Sequence, residues 1–361
     1  MARVPRCMAG HAQPRARART TLCALLTGSA LMIAACADRE SAGPGAEAQA
    51  ASADASAGTT AAVTRVPGDV VFDDTEVYPE SITATQAGVL ITGSVKGTLY
   101  RAEPDETVAR PWVRADSQNE LLSVLGVLAD EPSNTLWVCS VPSAFPGAPP
   151  SEGKVSSLMA FDLQTGTRKA AYPFPAPTSA CNDIAIAADG TAFATDTPNG
   201  RIFTLAPGAN ELALFAQDER LKGVDGIAFS ADGTLYVNIV SRGALMRIER
   251  GADGTAGALT ELTLSQPIAG PDGFRLIEGN RFVLAEGNGG RIDEVVISGD
   301  HAEIRVLREG LTSPPGVTPF DGVAYAAEGK IGYLIDPKLK GQDPGTFTIH
   351  AIPLEPAQMQ N

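Results

Sequence analysis

Residues 182–196 read NDIAIAADGTAFATD, and residues 225–238 read DGIAFSADGTLYVN. The two align without a gap: a polar opening, an apolar run of strand length, an Asp-Gly pair, and a second apolar run. Asp-Gly between two such runs signals a β-hairpin, because both residues tolerate the backbone of a tight turn. The same frame fits residues 80–92, ESITATQAGVLIT, and, one residue shorter, residues 272–284, DGFRLIEGNRFVL. A second turn follows at Gly97, Gly200, Gly243 and Gly290, which lie 9, 10, 10 and 11 residues after Gly88, Gly190, Gly233 and Gly279. Each opens a third strand, as in residues 201–205. Two weaker copies, GVLADEPSNTLWVC at 126–139 and PGVTPFDGVAY at 315–325, complete the set.

The openings at 182, 225 and 272 are 43 and 47 residues apart, close to the length of a four-stranded propeller blade. Six copies predict an all-β chain, a six-bladed β-propeller of four-stranded blades over residues 66–361. The gaps between hairpins hold short strands and turns and leave no room for helical crossovers, which counts against a parallel α/β sheet. The ring is expected to close by pairing of the chain ends, residues 70–72 with residues 346–352.

Composition agrees. Of 361 residues 44% are hydrophobic and 19% charged, enough apolar material for a large core, and 37 Gly with 26 Pro suit a chain broken into many short strands. The net charge is −14, and residues 1–35 hold five arginines and no acid, so the remainder is more acidic still. A nucleic-acid partner is not expected.

The first 35 residues read as an address. An Arg-rich stretch ending at Arg19 precedes a 14-residue apolar run, residues 22–35, too short to span a bilayer and right for a secretory signal. The run ends Ile33, Ala34, Ala35, Cys36, which resembles a bacterial lipobox, where the cysteine is lipidated and the peptide cut before it. Ala37 follows, with no Asp to resemble an inner-membrane retention signal. The expectation is a lipoprotein of the bacterial cell envelope, anchored through Cys36 and facing the periplasm from the outer membrane. Residues 36–65 are rich in Ala, Gly, Ser and Thr and read as a flexible tether. The lipid is the only membrane contact expected.

In a propeller every inner strand runs from one face to the other, so residues opening inner strands meet at one mouth of the central channel. Glu80, Asn182, Asp225 and Asp272 are therefore expected to converge. Three carboxylates and an amide are hard oxygen donors, suited to Ca2+ or another hard divalent ion. The polar residues closing second strands, Asp196, Asn238 and Glu286, return to the same face and are candidates to support the four, or simple turn residues. His301 and His350 fall outside this register, so zinc-hydrolase and Ser-His-Asp schemes lack their imidazoles. Residues 141–154 of blade two, with four prolines, form a long excursion on this face and a candidate lid. Cys139 and Cys181 sit near it on neighbouring blades; a secreted location permits a disulfide between them if their Cα atoms come within about 7 Å.

These openings, Pro79-Glu80, Cys181-Asn182-Asp183, Val224-Asp225-Gly226 and Pro271-Asp272-Gly273, on a six-bladed repeat, resemble the gluconolactonase, or senescence marker protein (regucalcin), family of calcium-dependent propellers. The resemblance covers roughly residues 68–354. It implies Glu80, Asp225 and Asp272 as metal ligands, Asn182 as the substrate contact and Asp272 as general base. Position 225 is Asp where the family usually has Asn, which adds a negative charge. The Arg with which the sugar-lactone enzymes grip substrate, two residues before Asn182, is Ala180 here, so an anionic sugar acid is not the expected substrate. Two functions stay open: a lipid-anchored, calcium-dependent lactone or ester hydrolase acting on a small molecule, or a non-catalytic, calcium-stabilised propeller binding a cell-envelope partner.

Overall fold

The computed structural model describes residues 68–251 and 254–356. The signal segment, Cys36 and the tether at 36–65 lie outside the described residues.

The repeat builds six antiparallel four-stranded blades. Blade one comprises Pro79–Ala84, Leu90–Ser94, Thr98–Ala102 and Val108–Arg114 from the inside outward. Blade two is Ser123–Asp130, Thr135–Val141, Ser157–Asp162 and Arg168–Pro173, and blade three is Cys181–Ile186, Ala192–Asp196, Arg201–Leu205 and Ala213–Gln217. Blade four follows with Val224–Phe229, Leu235–Ile239, Ala244–Arg250 and Ala256–Glu261. Blade five is Pro271–Glu278, Arg281–Glu286, Arg291–Ser298 and His301–Glu309. Blade six takes Gly316–Phe320, Val323–Ala327 and Thr348–Pro353 from the end of the chain. Its outer strand, Val70–Phe72, comes from the beginning, with Val70 opposite Ile349 and Val71 opposite Thr348. The chain ends thus close the ring as the sequence predicts, and Val70–Phe72 also runs parallel to the outer strand of blade one.

Inner strands pack on one another around the axis, blade six returning to blade one. Their close approach depends on glycine. A Cβ on Gly226 would meet the Asp272 carbonyl oxygen at 2.2 Å, and one on Gly126 would meet the Asn182 carbonyl at 2.1 Å. Apolar side chains fill the wedges between blades: between blades three and four, Phe193 stands edge-on to Phe215 and Phe229, and Val237 and Met246 are fully buried beside it. Each such burial contributes about 1.5–3 kcal/mol. Cys139 of blade two and Cys181 of blade three are joined by a disulfide, their Cα atoms 5.1 Å apart.

Candidate functional site

One irregularity, repeated, builds the site. In blades one to five the ladder between inner and second strands slips at the polar opening: between Pro79 and Ser81, Val124 and Val127, Cys181 and Ile184, Val224 and Ile227, and Pro271 and Phe274. A β-bulge breaks the alternation of the strand and re-aims the extra residue, here into the channel. The side chains so delivered are Glu80, Leu125, Asn182, Asp225 and Asp272, and Pro315 supplies the sixth wall from blade six. For blade two this corrects the sequence register, which opens that copy at Gly126; the inner strand begins at Ser123, and Leu125 is the residue in line with the acids. The ring has four polar and two apolar members.

A bulge leaves backbone groups without ladder partners, and second-strand side chains take them up. Thr195 Oγ1 accepts from the Asp183 N–H at 2.9 Å and donates to the Asp225 carbonyl at 3.0 Å. In the next blade Asn238 acts likewise: its Oδ1 accepts from Gly226 N–H at 3.1 Å, and its Nδ2 donates to the Asp272 carbonyl. Asn238 therefore fixes the backbone of both Asp225 and Asp272. Asp196 and Glu286 are fully buried but serve elsewhere, each holding the arginine that opens the third strand of its own blade. Arg201 Nε donates to Asp196 at 2.8 Å and Arg291 Nε to Glu286 at 2.7 Å.

The four predicted residues do come together. Glu80, Asn182, Asp225 and Asp272 surround a cavity of about 10 Å3, room for a single water molecule or ion. Asn182 Nδ2 donates to Asp225 Oδ2 at 2.8 Å and to Thr197 Oγ1 at 3.1 Å. The Asp225 and Asp272 carboxyls lie within hydrogen-bonding reach of each other. Loss of water pushes Glu80, Asp225 and Asp272 well above the usual carboxylate range, and repulsion from the acidic neighbours, Asp183 among them, adds to it. Among the described residues no three carboxylate, imidazole or thiol groups form a ready-made cation cage. A cation among these carboxyls would favour their ionised forms and oppose the upward push.

Arg275 is the functional residue that the sequence pattern does not reveal. From blade five it reaches across the channel and forks onto Asp183 of blade three, Nη1 to Oδ2 at 2.6 Å and Nη2 to Oδ1 at 2.7 Å. Asp183 Oδ2 also accepts from the Ile227 N–H at 3.1 Å. This buried pair closes the channel beneath the acids, and its guanidinium partly offsets the upward push on Glu80. The residues are 92 positions apart, and no local pattern marks them.

The expected lid is packed down rather than free: Phe145 joins the core cluster of blade one, and Pro149 sits against Gly97. A second excursion on the same face, between Val323–Ala327 and Thr348–Pro353, carries Ile331, Tyr333 and Leu334 onto that cluster.

No family model and no curated protein matches the chain. Solved structures do. A luciferin-regenerating enzyme superposes with a TM-score of 0.58 at 11% identity, over 80% of this chain and 95% of that one. A gluconolactonase from Xanthomonas campestris gives 0.56 at 15% identity, over 80% and 95%. Virginiamycin B lyase from Staphylococcus aureus gives 0.52 at 13%, over 80% and 98%. This chain shares their propeller fold. Identities this low establish the architecture alone, and the three neighbours carry different chemistries on it.

Proposed function

We propose that the protein is a divalent-cation-dependent hydrolase of a neutral lactone or ester, acting at the mouth of the channel where Glu80, Asn182, Asp225 and Asp272 meet. The observation that carries this reading is the gathering of three carboxyls and an amide, each from a different blade, around a space for one small ligand. The gluconolactonases among its structural neighbours support it. Calcium suits the donor set, since every donor is a hard oxygen and, among the described residues, the acids lack a neutralising charge apart from Arg275. Glu80, Asp225 and Asp272 would hold the ion, which when bound would polarise a carbonyl oxygen. Asp272 takes a proton from the attacking water. Asn182, turned from Asp225, donates its amide N–H to the substrate. Ala180 provides no guanidinium for an anionic substrate, and its N–H is already given to Asp196.

A panel of lactones and esters assayed with calcium and with chelator tests the reading; hydrolysis that chelator abolishes supports it. Binding should also stabilise the fold. Calcium at about 100 times its dissociation constant is expected to add about 2.7 kcal/mol, and Asp225→Ala to remove most of that gain. A melting temperature indifferent to both calcium and chelator would remove the metal from the account. Because the ion competes with protons for carboxyls whose proton affinity is raised, its affinity should rise with pH.

For location, we propose the lipid-anchored envelope protein that the N-terminal sequence suggests. Cys36→Ser should abolish precursor processing and release the protein from membranes; unchanged fractionation would refute the anchor.

A further inference from the structure

Beyond the Arg275–Asp183 pair the channel opens again. There the inner strands end around a funnel of about 770 Å3, within the range of small-molecule sites. It lies at the mouth opposite the acids. All six blades line it, and four of them supply half-buried apolar side chains: Leu128, Ile186, Phe229 and Leu276. The rim is acidic, with Asp130, Glu131, Asp189 and Asp232 contributed by hairpin turns of blades two, three and four.

Charge decides what fits. Two cations line the funnel among the described residues, and both are engaged. Arg275 is neutralised by its fork onto Asp183. Arg250 stands 3.7 Å from Asp189 and lies over the rings of Phe193 and Phe229. Asp189 is offset by Arg250, so an anion entering here would face the carboxylates of Asp130, Glu131 and Asp232 with no free counter-charge in the funnel among the described residues. At the floor, Arg275 is 8% exposed and its guanidinium is turned to Asp183.

We propose that this second mouth binds a cationic amphiphile, a small molecule whose apolar body fills the funnel and whose protonated amine meets the acidic rim. The wall of Arg275 and Asp183 separates it from the hydrolytic site, so the inference stands whether or not that site is catalytic.

Calorimetric titration of the full chain with decylamine and with decanoate, both below their micelle concentrations, tests it. Decylamine should bind saturably with one site per chain, and decanoate at least 10-fold more weakly. Ile186→Trp, which fills the funnel, should weaken decylamine at least 10-fold. The double variant Asp130→Asn with Glu131→Gln should weaken it about 3- to 10-fold while keeping the parent melting temperature, which guards against a misfolded Ile186→Trp. Equal or tighter binding of decanoate, unsaturable binding of decylamine, or a folded Ile186→Trp that binds as the parent does would each overturn the proposal.

Discussion

Replacing Asp272 with asparagine is expected to lower turnover of the best lactone or ester by about 10²-fold or more, the usual contribution of a general base. The substitution keeps the shape and one donor oxygen, so calcium affinity should weaken only moderately. It also keeps the anchoring of the main chain, because Asn238 holds residue 272 through its carbonyl and not its side chain. What is lost is basicity at one atom. The loss of water, and then the like charges at Asp225 and Glu80, raise the proton affinity of this carboxyl, and a cation drawn in among the acids would bring it back towards ionisation. A KM shift with unchanged kcat would make Asp272 a binding residue. Turnover equal to the parent would exclude it as the base. If the parent hydrolyses nothing in the panel yet binds calcium, the non-catalytic binding reading replaces the enzyme.

The blades and the four polar residues are legible in the sequence because both rest on local pattern. A hairpin declares itself within about 15 residues, and an opening residue repeated in the same frame marks a common height along the channel. What stays hidden depends on the third dimension. The bulges that turn Glu80, Asn182, Asp225 and Asp272 inward leave no signature beyond a glycine after some of them, which is why the sequence register of blade two falls one residue out of line. Asp196 and Glu286 look like Asn238 in sequence but stand one residue further along: they pair with Cys181 and Pro271, as Ile239 and not Asn238 pairs with Val224. Their function is decided by the arginines at 201 and 291, each across a turn, and Asn238 faces no such arginine. Arg275 and Asp183 meet only because the ring closes. The packing of residues 141–154 onto blade one likewise depends on Phe145 finding a cluster assembled from both ends of the chain.

The second large effect is expected away from the channel, at Asp293. This carboxyl lies fully buried on the third strand of blade five, and among the described residues no backbone or side-chain N–H donates to either of its oxygens. Arg291 is 3.5 Å away but is committed to Glu286 at 2.7 Å. The partner left to Asp293 is Glu286 itself, and two carboxyls can bond only through a proton. Burial, then that bond, then the charge of Glu286 raise Asp293 to about 8 from 3.8. The sign follows: between about pH 4 and pH 8 the unfolded chain has released this proton and the folded protein still holds it, so stability falls as pH rises through that window. At about 1.36 kcal/mol per pH unit the full loss is on the order of 5 kcal/mol above pH 8. Asp293→Asn supplies a permanent N–H donor to Glu286 and has no charge to lose. The variant should match the parent near pH 4 to 5 and exceed its melting temperature by a margin that widens towards pH 9. Taking the difference between the two proteins cancels the similar pH dependence of the channel acids, which both retain. A margin that stays constant from pH 5 to pH 9 would mean that Asp293 is ionised throughout, with Arg291 and not the shared proton as its partner.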